Sequence, residues 1–123
     1  MYERLKTRRE FLATATGRKA VRPAFLLQAR RRGDDGPACF GFTVSKRTAK
    51  SAVERNRIRR RLKEAVRRVA EAHADAGCDY VLVGRRRALD EPFAELEASL
   101  LAALRQTSAE LGGGAGSAEK ASG

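Results

Sequence analysis

Residues 53–69 combine an apolar stripe and a basic stripe on one predicted helix, and this combination constrains the fold more than any other stretch. The apolar residues recur at the helical period: Ile58, Leu62, Ala65, Val66 and Val69. The polar residues cluster across the helix: Asn56, Arg59, Arg60, Lys63 and Arg67. The first stripe predicts packing on a hydrophobic core, and the second predicts binding of a polyanion.

The basic charge of the chain is concentrated in its first part. The formal net charge is +11, and residues 1–69 hold 21 of the 26 Lys and Arg residues but 6 of the 15 Asp and Glu residues. Charged runs are often solvated surface, yet self-repulsion of this size is costly in a small chain unless a partner neutralises it. We therefore predict that this part of the chain binds nucleic acid.

Length and composition predict one domain. A chain of 123 residues that is 42% hydrophobic supports one modest core, which we place in residues 1–111. Residues 112–123 contain no apolar side chain larger than Ala and predict a flexible Gly/Ala/Ser-rich tail. With neither a signal peptide nor a membrane span in the sequence, we expect a cytoplasmic protein without a membrane partner. Cys39 and Cys78 are expected to be buried reduced thiols.

The first half is predicted to form a helix and two strands. Residues 7–16 have helical composition, and residues 24–30 and 38–45 resemble strands. The turn residues at 33–37 predict that the two strands form a hairpin. In the second strand Phe40, Phe42 and Val44 share a face that we assign to the core, with Gly41, Thr43 and Ser45 on the other.

The second half is predicted to form a helix, a strand and a helix. The basic helix spans residues 49–76 and is closed by Gly77, and the apolar residues 79–85 form a central strand. Asp90 is the predicted N-cap of the last helix. Its apolar stripe consists of Phe93, Leu96, Leu100, Leu101 and Leu104.

Two short segments make the chain resemble a known family. Residues 42–47 are Phe-Thr-Val-Ser-Lys-Arg, and residues 52–60 are Ala-Val-Glu-Arg-Asn-Arg-Ile-Arg-Arg. Together with the order of elements, they resemble the bacterial ribonuclease P protein subunit, whose signature triplet matches Arg55, Asn56 and Arg57. The resemblance implies an α+β fold, an α/β sandwich with a small mixed sheet like that of the second domain of a small-subunit ribosomal protein. It also implies a left-handed βαβ crossover through the basic helix, against the usual right-handed rule.

The resemblance also implies a function. The family assists a catalytic RNA in removing the 5′ leader of precursor tRNA endonucleolytically, and the RNA subunit carries the chemistry and most of the Mg²⁺. We therefore expect no catalytic residue, protein-bound metal, organic cofactor or DNA partner. The single histidine agrees, because protein nucleases use clustered carboxylates or paired histidines. We expect His73 to be partly buried and structural.

The resemblance assigns two RNA-binding surfaces. The first faces the catalytic RNA, where arginine forks bind phosphates and release counterions: Arg55, Asn56, Arg57, Arg59, Arg60, Lys63 and Arg67. The second is a cleft for the single-stranded leader, between the first helix and the sheet: Phe11, Leu26, Gln28, Thr43, Ser45, Lys46 and Arg47. Phe11 is either a platform for base stacking or an anchor of its helix. Asn56 is alternatively a helix N-cap or makes a hydrogen bond in the first turn, and Arg61 and Arg68 point to another side.

Two other classes of protein remain alternatives at this point. A ribosomal or ribosome-assembly protein can also be a basic α/β sandwich with a disordered tail. A DNA-binding regulator could use residues 53–69 as a recognition helix, but it needs a second helix just before it. The segment before this helix is predicted to be a strand, which disfavours the regulator.

Overall fold

The computed structural model describes residues 2–111, which form a five-stranded mixed sheet and three α-helices. The predicted flexible tail lies outside the described residues. The elements are β1 (Tyr2–Arg4), α1 (Arg8–Ala15), β2 (Arg18–Val21), β3 (Phe25–Arg31), β4 (Ala38–Thr43), α2 (Ala52–His73), β5 (Cys78–Gly84), a 3₁₀ helix (Arg86–Leu89) and α3 (Phe93–Glu110). This architecture confirms the expected α+β class with a mixed sheet.

The strands lie in the order β1-β4-β5-β3-β2, so β5 is central. It pairs in parallel with β4 and antiparallel with β3. Six of its seven residues are buried, which confirms the central position predicted from its apolar sequence. Because β4 and β5 are parallel neighbours, α2 forms the βαβ connection between them.

The predicted hairpin between β3 and β4 is wrong, because β5 lies between these strands and pairs with both. An apolar strand is best placed where both faces are covered and both backbone edges are paired. A β3–β4 hairpin would exclude β5 from this position between the two strands. The turn residues at 33–37 contact the segment before β5 instead, where the Gly77 N–H donates to the Gly36 carbonyl.

One face of the sheet, here called the core face, is covered by α2 and α3. It carries alternate strand residues that are buried: Phe25, Leu27, Ala29, Phe40, Tyr80 and Leu82. The helices add the buried residues Ile58, Leu62, Ala65, Val66, Leu96, Leu100 and Leu104. Burial of each large side chain stabilises the fold by about 1.5–3 kcal/mol, so this layer is the main core. The apolar stripe predicted for α2 is therefore confirmed.

The other face, here called the open face, ends in a buried ion-pair cluster. The Asp79 side chain is fully buried and accepts hydrogen bonds from Arg30 at 2.8 Å and from Arg32 at 2.6 Å. Arg32 also bonds Asp34 in the following turn at 2.9 Å. A buried carboxylate needs such partners, since an unpaired charge in the interior is strongly destabilising.

Several local predictions need correction. α2 begins after the N-cap Ser51 and ends at His73, which is exposed rather than partly buried, and Gly77 lies beyond it in a turn with φ of 77°. Asp90 follows the 3₁₀ helix, and Pro92 occupies the N-cap position of α3. The backbone N–H of Asp90 donates to Arg87 O, which ties this residue to the preceding turn.

The cysteines are free, with Cys78 buried and Cys39 half-buried. Burial raises the pKa of both thiols, so they are held in the protonated, unreactive form. This matches the prediction for Cys78 and partly for Cys39. Within residues 2–111, no helix has the length and apolar character needed to cross a bilayer.

Candidate RNA interface

The start of α2 is fixed by two sets of hydrogen bonds. The Ser51 hydroxyl accepts from the backbone N–H groups of Val53 and Glu54, at 3.1 and 3.3 Å. The Arg55 guanidinium donates from Nη1 to the carbonyl oxygens of Ala49 and Lys50, both at 2.8 Å. Arg55 therefore holds the loop before α2, a role that its place in the signature triplet did not predict.

The other predicted residues for the catalytic RNA lie on the surface of α2. Asn56, Arg57, Arg60, Lys63 and Arg67 are exposed, and Arg59 is half-buried. Arg59 Nη2 donates to Asn56 Oδ1 at 2.5 Å. Because Ser51 is the N-cap, the alternative that Asn56 caps the helix is wrong. Its amide instead orients the Arg59 guanidinium.

Glu64 reduces the positive charge at one end of this surface. Its carboxylate accepts hydrogen bonds from Arg67 at 2.5 Å and from Arg68 at 3.1 Å. These bonds lower the pKa of Glu64 to about 2, so the carboxylate is ionised at neutral pH. The charge of Arg67 is consequently partly neutralised. Among the described hydrogen bonds and ion pairs, neither Arg60 nor Lys63 contacts a carboxylate in this way.

Two further arginines of α2 connect the helix to the C-terminal part of the fold. Arg61 donates to the carbonyl oxygens of Ala88 and Glu91 at 2.7 and 2.8 Å. The guanidinium carbons of Arg61 and Arg68 lie 5.8 and 5.3 Å from the centroid of the Phe93 ring. These contacts confirm that Arg61 and Arg68 point away from the basic stripe, and they show that both support packing.

The second surface is formed by α1 and the open face. A capping box starts α1, with Glu10 N–H donating to the Thr7 hydroxyl at 3.2 Å and Thr7 N–H donating to the Glu10 carboxylate at 2.9 Å. The tip of the half-buried Phe11 ring rests on Gly41, where a Cβ atom would lie 2.4 Å from Phe11 Cζ. Glycine at this position therefore allows α1 to approach the sheet.

The strand register aligns the predicted cleft residues in two rows on the open face. One row contains Leu26, Val83 and Thr43, and the next contains Gln28, Val81 and Gly41. Leu26 and Gln28 are half-buried, and Thr43 is exposed. The structure thus brings Leu26, Gln28 and Thr43 to the same side of the sheet as α1.

The remaining cleft residues lie in the turn after β4. The Ser45 hydroxyl accepts from the Thr48 N–H at 3.1 Å and so stabilises the turn. Lys46 and Arg47 are exposed beside it. Both cations therefore stand at the end of the open face, where a nucleic acid backbone leaving the cleft can meet them.

Three residues of this surface were not predicted. Val83 lies between Leu26 and Thr43, and the edge strand β2 adds Val21, which is 58% exposed, and Lys19. Val83 was predicted to lie in a strand, but the face of the sheet to which it points was not predicted. Neighbouring strand residues point to opposite faces, so the buried Leu82 on the core face implies that Val83 lies on the open face. β2 has four residues, two of them charged, so its signal is too short to recognise.

Basic surfaces on both sides of a mixed sheet define an α+β protein suited to polyanion binding. A family model described as ribonuclease P matches residues 1–108. The ribonuclease P protein component of Paramagnetospirillum magneticum is 48% identical over 112 residues, covering 87% of this chain and 84% of that protein. That of Gluconacetobacter diazotrophicus is 48% identical over 104 residues, covering 84% and 89%.

Solved structures agree with these relatives. The ribonuclease P protein from Thermotoga maritima aligns with a TM-score of 0.70 and 26% identity, covering 84% of this chain and 96% of that chain. The one from Staphylococcus aureus, at 24% identity and a TM-score of 0.67, shows the same fold. The chain belongs to the ribonuclease P protein family. This membership decides against the ribosomal protein and the DNA-binding regulator.

Proposed function

We propose that this chain is the protein subunit of ribonuclease P and assists the endonucleolytic removal of the 5′ leader from precursor tRNA. The observation that carries the proposal is the family match over residues 1–108. In this proposal α2 binds the catalytic RNA, and the cleft between α1 and the open face binds the leader. Surfaces on opposite sides of the sheet suit a protein that contacts its RNA partner and its substrate simultaneously.

The chemistry and the Mg²⁺ belong to the RNA subunit in this proposal. Residues 2–111 contain no group of three or more His, Cys, Asp or Glu side chains that could hold a metal ion. The protein contributes cations that neutralise RNA phosphates and thereby replace part of the diffuse Mg²⁺ that the RNA requires.

The contact with the catalytic RNA is assigned to the stripe on α2. Arg57, Arg59, Arg60 and Lys63 supply charge, and guanidinium groups can bind phosphate oxygens bidentately. Arg67 contributes less because Glu64 shares its charge. Arg55 acts indirectly, since its hydrogen bonds to the preceding loop fix the start of the helix.

The contact with the leader combines stacking and charge. A base that stacks on an aromatic ring gains about 1–3 kcal/mol with little sequence preference, which suits a factor that acts on many tRNAs. Phe11 offers a half-buried ring, and the row containing Leu26 and Thr43 continues the surface. Lys46 and Arg47 then bind the leader phosphates.

The test compares how tightly the RNA–protein complex binds precursor tRNA and mature tRNA. Adding the protein to the catalytic RNA should raise the affinity for the precursor more than for mature tRNA. Phe11→Ala should lower this precursor preference while leaving assembly with the catalytic RNA intact. An unchanged preference with a lower melting temperature would show that Phe11 anchors α1 without binding the leader, and no preference in the parent protein would refute the leader contact.

A further inference from the structure

A groove with a cavity volume of about 320 Å³ lies between the β1–β4 edge of the sheet and the basic side of α2. Its aromatic residues include Tyr2 and Phe42, and its cations are Arg4, Arg60, Lys63 and Arg67. Tyr2 and Phe42 share the side of the sheet that faces α2, as the register Tyr2–Ala38 and Arg4–Phe40 shows. The groove is therefore on the opposite side of the sheet from the leader cleft.

Phe42 presents an aromatic surface that the core leaves half-exposed. Sequence alternation places it with the core residue Phe40, and both line the groove, but Phe40 is buried whereas Phe42 is only half-buried. Lys63 Nζ lies 5.9 Å from the centroid of the Phe42 ring. The lysine lies over the ring face, so a nucleobase that stacks on Phe42 takes its place while the ammonium turns to the phosphate of the same nucleotide.

The other side of the groove is held by packed aromatic rings. Tyr2 contacts Phe40 edge-to-face, with ring centroids 5.3 Å apart, and Phe40 stacks on the buried Tyr80. These contacts fix the Tyr2 ring relative to the core. The aromatic wall of the groove is thus preformed, and little ordering entropy of the Tyr2 ring opposes a ligand that contacts it.

The charge of the groove favours an anion with a flat body. Four cations face two carboxylates, Glu3 and Glu64. Glu64 already accepts hydrogen bonds from Arg67 and Arg68, so the groove retains an excess of positive charge. A nucleotide satisfies both features, because its base can stack on the ring and its phosphate can bind the cations.

We propose that this groove binds one unpaired nucleotide of the catalytic RNA, with the base on Phe42 and the phosphate on Lys63 and Arg60. The proposal rests on the proposed function and adds a contact to it. Phosphate contacts along α2 are independent of base sequence, whereas this groove admits a base only where the RNA presents it unstacked. The catalytic RNA is the occupant because α2, which forms one wall, is the surface assigned to it.

The first experiment uses tryptophan as a local reporter, since the chain contains no tryptophan. In Tyr2→Trp, titration with a bacterial ribonuclease P RNA should quench the fluorescence as a base enters the groove. The matched control is Val21→Trp, on the open face, which should respond to precursor tRNA and not to the catalytic RNA alone. A Tyr2→Trp signal that responds only to precursor tRNA would overturn the proposal. So would a signal that responds only to polyglutamate, a polyanion without bases.

The second experiment compares Phe42→Leu with Lys63→Gln in salt titrations of RNA binding. Phe42→Leu keeps an apolar side chain for packing but removes the flat ring, and should weaken binding about 5- to 150-fold, the value of one stacked base. Its salt dependence should match the parent, because it loses no phosphate contact. Lys63→Gln should reduce the slope of log affinity against log salt by about one.

The outcomes separate this inference from the proposed function. If the parent protein does not bind the catalytic RNA, the proposed function fails. If the parent binds but Phe42→Leu binds equally tightly with an unchanged melting temperature, the α2 surface stands and the nucleotide groove is refuted. A weaker Phe42→Leu complex with an altered salt slope would also refute stacking, since the loss would then be electrostatic.

Discussion

Gly41→Ala is the substitution that tests most sharply how α1 is seated on the sheet. The added methyl group would lie 2.4 Å from Phe11 Cζ and 3.1 Å from Leu5 Cδ1. Ordinary carbon contacts are about 3.5–4.0 Å, so the ring must move by about 1 Å or more. Such overpacking destabilises a protein by about 1–3 kcal/mol, and we expect this loss in the free energy of unfolding.

A double-mutant cycle with Phe11→Ala separates the cost of the clash between the new methyl group and the Phe11 ring from the other effects of Gly41→Ala. Phe11→Ala alone should cost about 1–3 kcal/mol, less than the loss of a fully buried Phe. In the double variant the new methyl group no longer meets the ring, so the two losses should not add, and a coupling free energy of about 1–2 kcal/mol is expected. Urea unfolding followed by circular dichroism measures each corner of the cycle.

The same variants report on function. Displacing α1 changes the width of the leader cleft, so Gly41→Ala should lower the preference for precursor over mature tRNA while assembly with the catalytic RNA is retained. Losses that add to within about 0.5 kcal/mol would refute the Phe11–Gly41 contact as the element that seats α1. A Gly41→Ala variant as stable as the parent would refute it as well.

Three further predictions concern charged residues. Arg55→Ala should lower the melting temperature by removing the hydrogen bonds to Ala49 and Lys50, whereas Arg57→Ala should leave it unchanged and reduce the salt slope of RNA binding by about one. Glu64→Gln should strengthen RNA binding by freeing Arg67. Because the pKa of Glu64 is about 2 in the folded protein and 4.5 ordinarily, the stability of the parent should fall as the pH drops from 4.5 towards 2, and the stability of the variant should fall less. Asp79→Asn should cost about 1.5–3 kcal/mol in urea unfolding, because the charged hydrogen bonds from Arg30 and Arg32 are weakened.

The pattern of apolar residues correctly predicted which side of α2 is buried and where β5 lies in the sheet. The spacing of Ile58, Leu62 and Val66 defined the buried side of α2, and the continuous apolar run of β5 defined its central position. These features are local, because burial of one helix face or of both strand faces is written in the residues of that element.

Strand pairing was not predictable in the same way. The turn residues before β4 indicated a hairpin, but the pairing depends on β5, which follows about 40 residues later in the chain and inserts between β3 and β4. β1 and β2 were missed because they have three and four residues and are rich in charge. Their pairing is determined by neighbouring strands and not by their own composition.

The candidate site was likewise predictable from the sequence only in part. The charge of the α2 stripe follows from sequence, but its distribution does not. Arg55 is used by the loop before the helix, Arg61 by the carbonyls of Ala88 and Glu91, and Arg67 by Glu64. The contacts of Arg55 and Arg61 depend on where a neighbouring segment lies, which a helical wheel does not contain, whereas the Arg67–Glu64 pair is an i,i+3 contact within α2.

The central claim is that this protein assists an RNA catalyst, and cleavage of precursor tRNA as a function of Mg²⁺ tests it most directly. A bacterial ribonuclease P RNA is assayed at near-physiological Mg²⁺ with and without the protein, beside a rigorously RNA-free protein sample. We expect the protein to restore multiple-turnover cleavage at Mg²⁺ concentrations where the RNA alone is inactive, and the RNA-free protein to be inactive. Cleavage by the protein alone, or an unchanged Mg²⁺ requirement of the RNA, would contradict the account.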